Sequence, residues 1–305
     1  MGDLKRLKAK IASTKNIKKI TSALEIIATL KLQKTKKQTE FLRNYVDHLI
    51  PLLITIERQV DIFAKVRRRD SEQEEISKIL PELHVVVSSE KWLCGSLNTI
   101  LLKDVHNQLK AKKDAVFVFA IGNKAIQFFT KHWYQLAWKL HLADQIDHND
   151  IAPLVAILHE HRTKELYEKI TVHYNYFKNT MKYIPTSMQI YPLSRKVWNT
   201  IMPDLAHVYA VPQHDEENTE HIMEPDPIAL QLAAQEALSR YVILSAVFQN
   251  KTSEFASRMI AMKWAKDNAN TIVDDLTVAY NKARQDSITQ EVLEIVWAKS
   301  VIETM

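Results

Sequence analysis

Glycine is nearly missing from this sequence, with three copies in 305 residues where about 7% is usual. A chain so poor in glycine is not organised around tight turns, and long helices are the favoured alternative. Proline is present, but its nine copies all lie between Pro51 and Pro227, so both ends run uninterrupted and only the middle is punctuated. Cysteine occurs once, at Cys94, which excludes an internal disulfide framework and suits a reducing cytosol. No apolar run approaches the ~20 residues of a membrane span. The opening Met1-Gly2-Asp3-Leu4-Lys5-Arg6 lacks the apolar region of a secretory leader and has Arg6 where a myristoylation signal needs Ser or Thr. The expectation is a cytosolic chain arranged as helix, punctuated middle, helix.

With 46% hydrophobic and 25% charged residues the chain can fill more than one core. Its C-terminal stretch, Ile228 to Met305, runs 78 residues without proline or glycine. As one helix at ~1.5 Å per residue it would be about 115 Å long, too long to be buried in a small domain. Within it Phe255, Met262, Ala269, Leu276 and Ala283 recur every seven residues, and Ala265, Ile272 and Ala279 recur at seven in an offset register. Such a repeat draws a helix into a supercoil with a partner helix.

The first fifty residues supply that partner. From Asp3 to Ile50 there is again no proline or glycine, and Leu4, Leu7, Ile11, Ile17, Ile20, Leu24, Ile27 and Leu30 recur at three- and four-residue steps, read as one apolar stripe. Up to Arg43 this segment holds 12 Lys or Arg against 3 acids, a net of +9, whereas Glu254 onward holds 8 acids against 6 bases, a net of −2. Opposite signs suit pairing of the two ends within one chain. The basic run also admits a nucleic-acid footprint, although no aromatics are interleaved with the lysines.

In the middle, Arg67 to Glu75 is a charge-dense connector, after which the period changes to two. Leu83 to Ser88, Ala115 to Ile121, Lys169 to Tyr174, Ser187 to Tyr191 and Ala206 to Val211 read as strands. Leu97 to Lys112, Asn123 to Trp133 and Asp150 to His161 read as helices between them. Alternating strands and helices imply a parallel sheet covered on both faces, a small doubly wound, Rossmann-like α/β domain. The fold class expected is therefore α/β with a long helical coiled coil. The divisions are a first helix over 1–58, a charged connector over 59–81, an α/β domain over 82–211, a polar loop and turn over 212–227, and a last helix over 228–305.

Such a sheet invites a nucleotide, but the turn after the first strand has one glycine, Gly95, where dinucleotide binding needs three, and Gly122-Asn123-Lys124 is a fragment of a phosphate-binding loop. His159-Glu160-His161 spaces its imidazoles two apart, on different sides of a helix. No nucleophile, base and orienting acid are evident, and neither a cofactor, a metal nor a catalytic role is expected. An interaction or mechanical component is the better reading.

The stretch Arg258-Met259-Ile260-Ala261-Met262, then Asp267-Asn268-Ala269, Tyr280-Asn281-Lys282-Ala283-Arg284-Gln285, Ile288-Thr289-Gln290-Glu291 and Glu294-Ile295-Val296, closely resembles the signature of the γ subunit of F-type ATP synthases. Lys10 to Ile17, Lys19 to Leu24, Leu93-Cys94-Gly95-Ser96-Leu97-Asn98 and Glu224-Pro225-Asp226-Pro227 are similar to further anchors of that family. The resemblance covers the chain end to end. It implies a rotor whose terminal helices pair antiparallel, Ile20 to Leu30 against Met262 to Leu276, as a coiled coil inside a ring of three α and three β subunits. The implied partners also include an ε-type subunit and the membrane rotor ring, on the cytoplasmic face of the membrane, with no nucleic acid.

By the same resemblance Arg284, Gln285 and Thr289 face a loop of β, Leu24 stands in the N-terminal motif beside them, and Glu224 is the foot that touches the rotor ring. The chain also departs from the pattern. Glu90-Lys91-Trp92 replaces the usual Asp-Arg-Gly, Ser96 replaces a glycine, and Trp297-Ala298-Lys299 replaces a Gly-Ala run of small residues. Losing two glycines implies a different loop backbone or a filled contact. Two other readings stay open: a divergent F1-like motor with a non-proton output, and a coiled-coil scaffold or nucleic-acid-binding module.

Overall fold

The structure, a computed structural model, describes residues 2–59, 80–143, 146, 148–164, 166–191 and 227–303. A first helix, α1, spans Gly2–Gln59. The middle carries β1 (Glu82–Val87), α2 (Leu97–Leu109), β2 (Val116–Ile121), α3 (Asn123–Lys131), β3 (Gln135–Leu140), α4 (Ala152–Lys164), β4 (Lys169–Asn179) and β5 (Lys182–Tyr191), and α5 spans Pro227–Glu303. The chain divides into two compact units, Met1–Lys31 with Arg258–Met305, and Leu32–Ser257. The strand expected over Ala206 to Val211, the connector's charged run and Glu224 lie outside the described residues.

In the first unit, α1 and α5 pair. Lys266 donates to Glu25 at 2.6 Å. Glu25 lies six residues inside the unit's limit on α1, at Lys31, and Lys266 eight residues inside its limit on α5, at Arg258. Counting in opposite directions from a shared end is the property of antiparallel helices. The side chains that lose solvent on α1 include Leu4, Leu7, Ile11, Thr14, Thr21, Glu25 and Ala28, spaced by threes, fours and one seven, with Ser22, Leu24, Thr29 and Lys31 partly covered beside them. Those on α5 include Met262, Lys266, Ala269, Val273, Leu276, Tyr280, Ala283 and Ser287.

This seam corrects the expected one in part. The Met262, Ala269, Leu276 and Ala283 repeat lies on it, but Ile272 and Ala279 are exposed. On α1, Ile17, Ile20, Ile27 and Leu30 point outward, with Ile20 60% and Leu30 61% exposed. Size explains the choice: Thr21 and Ala28 are the fully covered positions, and small side chains let helices approach closely. The threonine hydroxyls are satisfied within their own helix, Thr14 on Lys10 O at 2.9 Å and Thr21 on Ile17 O at 3.1 Å, so their methyl groups can face the partner.

In the second unit a five-stranded sheet has the order β3-β2-β1-β4-β5. The first four strands are parallel, and β5 returns antiparallel to β4. One face packs Leu101, Leu102, Val105 and Leu109 of α2 and Phe129 of α3 on Val86, Val118 and Ala120. The other packs Leu154 of α4 and Ile243, Val247 and Phe248 of α5 on Val85, Phe119, Ile170 and Val172. Strands buried on both faces read as continuous apolar runs, which made β1 and β2 legible. β3 was missed because Gln135-Leu136-Ala137-Trp138-Lys139-Leu140 is a half-covered edge with mixed polarity. β5 starts at Lys182, five residues before the expected Ser187, since Pro185 masks it; an edge strand tolerates proline. Of the expected helices, α2 gives way after Leu109 to a 3₁₀ turn, and α3 ends at Lys131.

The paired coil makes a specific prediction. Glu25→Lys in the full chain sets two ammonium groups against each other and should lower the melting temperature, and adding Lys266→Glu should restore most of the loss. Equal melting temperatures for the single and double variants would show that the two side chains do not meet.

Candidate functional site

The coil has two unlike flanks. Beside its seam, Ile17, Ile20, Leu24 and Ile27 of α1 and Ala265, Ile272 and Ala279 of α5 lie on the same side, because equivalent flanking positions face one another in an antiparallel pair. On the other side stand Lys8, Lys15, Ser22 and Thr29 of α1 and Lys263, Asn270, Thr277 and Arg284 of α5, four cations with no acid. Between Ile17 and Ile27 the first flank is apolar, with Asp3, Lys10 and Lys31 in the same register toward its ends, and the second is polar and basic. Counting from the Glu25–Lys266 contact, Gly2 reaches the level of Thr289, so α5 continues beyond the start of α1. Every residue from Ile288 to Lys299 is exposed there, including Ile288, Val292, Leu293, Ile295, Val296 and Trp297.

These levels locate the residues singled out in the sequence. Arg284, Gln285 and Thr289 are exposed, and Thr289 turns its hydroxyl back to Gln285 O at 2.9 Å. Leu24 is half-buried at the level of Lys266. Arg284 is 18 residues further along α5, roughly 27 Å at ~1.5 Å per residue. The structure therefore brings Arg284, Gln285 and Thr289 together and places Leu24 at a separate level. Glu224 is outside the described residues.

The α/β unit has the sheet of a nucleotide binder, and its phosphate-binding positions are filled from within. Open parallel sheets take ligands at the carboxyl ends of the strands where the strand order reverses, here between β1 and β4. That place holds α5: Ser257 Oγ donates to Cys94 O at 2.6 Å, and a Cβ on Gly95 would lie 3.2 Å from Ser257 Oγ. The N-terminus of α3, the other natural anion site, is capped internally. Asn123 N donates to Glu90 Oε2 at 3.2 Å, Lys124 N to Ser89 O at 3.2 Å and Ala125 N to Ser88 Oγ at 2.8 Å. Glu90 also accepts from Leu142 N at 2.9 Å. Glu90 thus puts a carboxylate where a phosphate would sit. Gly122 is required, since a Cβ there would lie 2.5 Å from Ser88 O.

The departures at Trp92 and Ser96 are also accounted for. Positive φ in this loop occurs at Leu93 and Gly95, so Trp92 and Ser96 stand at positions that do not need glycine. Each fills a contact: the Lys124 ammonium lies 2.9 Å from the Trp92 ring centroid, and Ser96 Oγ lies 3.0 Å from Tyr183 OH.

A hydrogen-bonded chain crosses the sheet that the sequence did not reveal. Ser187 Oγ lies 2.7 Å from His173 Nδ1, His173 Nε2 lies 2.8 Å from His84 Nδ1, and His84 Nε2 lies 3.1 Å from Glu82 Oε2. Lys112 Nζ donates to Glu82 at 2.8 Å. A carboxylate can only accept, so His84 carries its proton on Nε2 and accepts at Nδ1. His173 must then donate from Nε2 and accept from the Ser187 hydroxyl. The order is serine, two histidines and a carboxylate, so the imidazole beside the serine is oriented by a second imidazole and not by an acid. Its chemistry is weak. Burial, with help from His84 and Lys169, pulls His173 down to about 3, too poor a base to deprotonate a serine. Burial also lowers His84 against the opposing pull of Glu82. The two histidines alternate with apolar residues in β1 and β4, which was the available signal.

A coiled-coil unit with unlike flanks and an α/β unit with an internally filled crevice define a class of subunit rather than a small-molecule site. Comparisons with known proteins specify it. The ATP synthase family model matches residues 3–300. The ATP synthase gamma chain of Glaesserella parasuis is 33% identical, over 99% of this chain and 100% of that one. Among solved structures, a chain of the Euglena gracilis mitochondrial ATP synthase is similar with a TM-score of 0.63 and 18% identity, over 99% of this chain and 95% of that one. A chain from the Tetrahymena thermophila mitochondrial ATP synthase central stalk and c-ring structure has a TM-score of 0.57 and 21% identity, over 81% and 99%. The chain belongs to the ATP synthase γ-chain family. Its α/β and coiled-coil fold is that of central-stalk subunits, and among the described residues no helix is long and apolar enough to cross a membrane.

The buried histidines set a pH dependence. His173 is near 6.5 when unfolded and about 3 when folded, so the fold favours its neutral form. That contribution is fully present above about 6.5 and is lost as pH falls toward 3. At 1.36 kcal/mol per unit, lowering the pH from 7.5 to 5 should cost the chain on the order of 2 kcal/mol in urea unfolding through this group. His173→Gln should flatten that part of the profile. An unchanged acid slope would show that His173 is not held neutral.

Proposed function

We propose that this chain is the non-catalytic rotor at the centre of an F1 ring of three α and three β subunits, turning with that ring's ATP cycle. The observation that carries the reading is the outward face of the coil. Four large aliphatic side chains, Ile17, Ile20, Ile27 and Leu30, are turned away from its own seam, and the tip of α5 beyond α1 is lined with more. A chain with that much exposed apolar surface suits enclosure by partners. Because the flanks differ in chemistry, a different face is offered to each surrounding subunit at any one angle, and rotation changes which subunit meets which flank. In thermodynamic terms each angle biases the partner conformations unequally.

Within this reading, Arg284, Gln285 and Thr289 form the contact to β near the tip, and Leu24 makes a separate apolar contact lower on the coil. Arg284 presents a planar fork of donors suited to a carboxylate. The α/β unit faces an ε-type subunit and, through Glu224, the membrane rotor ring, which puts the chain on the cytoplasmic face of the membrane as part of a peripheral complex. The filled crevice of the sheet supports assigning nucleotide chemistry to the partners.

The test is reconstitution with α and β subunits. The isolated chain should hydrolyse no ATP, and the assembled ring should turn over. Arg284→Ala with Gln285→Ala should slow multisite turnover several-fold while changing the chain's own stability by no more than ~0.5 kcal/mol, as exposed truncations do. Unchanged turnover by the double variant would remove these residues from the coupling. Failure to assemble with a ring would remove the rotor reading.

A further inference from the structure

The polar run Gln249-Asn250-Lys251-Thr252-Ser253-Glu254 on α5 is not explained by the coil or by the closed crevice. Asn250 to Glu254 are each 0–1% exposed. Successive helical residues are about 100° apart, so five consecutive buried side chains cover the whole circumference, and α5 is enclosed on every side at this level. The preceding turns, Val242 to Phe248, are held by apolar packing. Here the partners become polar and directional. Asn250 Oδ1 accepts from Asn175 N at 3.2 Å and from Asn175 Nδ2 at 3.0 Å. Gln249 Oε1 accepts from Phe177 N at 3.1 Å, and Ser253 Oγ donates to Asn175 O at 3.1 Å. Thr252 Oγ1 lies 3.2 Å from Thr39 Oγ1 of α1, and Lys251 pairs with Glu254 at 3.4 Å.

We propose that this polar collar fixes the rotational setting of α5 against β4 and is the element through which twisting force passes between the helix and the α/β sheet. The proposal rests on the rotor reading above. Its physical basis is the difference between directional and non-directional contacts. Apolar packing has no preferred angle of its own, whereas hydrogen bonds weaken steeply as distance and angle depart from ideal. Side-chain atoms on a helix lie about 5–6 Å from its axis. A turn of ~10° therefore moves them by about 1 Å, enough to break bonds near 3 Å on one side of the collar.

Stability alone does not account for the run. Asn175 Oδ1 and Asn250 Nδ2 are buried with no hydrogen-bond partner. Burying the Lys251–Glu254 pair is also unfavourable compared with well-packed apolar side chains of the same volume. An apolar run continuing from Phe248 would leave Asn175 N, Asn175 O and Phe177 N without partners and would set the angle of the helix by packing alone. The polar atoms give one setting in which β4's backbone groups are satisfied.

The experiment is a single-molecule measurement on the assembled complex, with a bead attached through Met181→Cys at the exposed β4–β5 turn and hydrolysis arrested by an inhibitor. Asn250→Leu, Ser253→Ala and Gln249→Met should each raise the angular variance of the bead, with about a twofold or larger rise for Asn250→Leu, while ATP turnover of the complex stays within twofold. Ser253→Thr and Gln249→Glu, which keep the donor and the acceptor, should restore the variance of the parent complex. Lower melting temperatures with unchanged angular variance in Ser253→Ala and Gln249→Met, the milder changes, would overturn the proposal and leave the collar a merely structural contact. A bead on the parent chain that never rotates during active hydrolysis would instead overturn the rotor reading.

Discussion

Where β1 stops, β4 goes on. The parallel pairing of the two strands ends at Val86 and His173, while β4 continues beside β5 to Asn179. Beyond that point the edge of β4 that faced β1 would carry bare N–H and C=O groups, and buried backbone groups of that kind are costly to leave unmade. Side chains of α5 take the place of the missing strand, with Asn250 and Gln249 accepting from Asn175 N and Phe177 N and Ser253 donating to Asn175 O. Much else in the second unit depends on this substitution. It brings α5 across the carboxyl ends of the strands, it sets Ser257 against Cys94, and it closes the crevice in which a sheet of this topology ordinarily holds a ligand.

The α/β unit is accordingly an example of fold separated from chemistry. The right-handed parallel core, the glycine at the end of β2 and a helix N-terminus beyond it are all present, but the three N–H groups at that terminus are taken by Glu90, Ser89 and Ser88. A carboxylate held there competes directly with any phosphate. The Ser187, His173, His84, Glu82 chain likewise has the residue types of a catalytic relay and the electrostatics of a core. Its buried imidazoles are held neutral because charging either one would place a cation in a dry site beside Lys112 and Lys169.

Much of this was legible from residue order. The long helices follow from the near absence of glycine and the confinement of proline to the middle, and β1 and β2 from unbroken apolar runs. The seam was less legible. Periodicity identified helix faces but could not rank two apolar faces of α1, because a stripe of isoleucines facing a partner protein looks the same as one facing a partner helix. Thr21 and Ala28, the residues that line the seam, carry weak hydropathy signals. β3 and the start of β5 were hidden by edge positions, where one face is solvated and proline is tolerated. The polar collar stood in plain view as six polar residues inside an otherwise amphipathic helix, yet nothing local distinguishes a run capping a distant strand from a run facing water.

The division of labour along α1 follows from that ambiguity. A coil held together by its largest side chains would bury them in its own seam and present a polar surface on all sides. This coil divides them, with Leu4, Leu7, Ile11, Thr21 and Ala28 of α1 on the seam, Ile17, Ile20 and Ile27 outside it on one flank, and Lys8, Lys15, Lys263 and Arg284 on the other. The isoleucines left outside are apolar area that the pair does not bury for itself. Its two flanks then differ in kind rather than degree. A surrounding subunit that meets the isoleucine flank gains by burying apolar area, and one that meets the lysine flank gains only by supplying carboxylates. That difference in interaction is what any angle-dependent coupling between a shaft and its partners requires, because a shaft with equal affinity on every side would shift no equilibrium however tightly it was held.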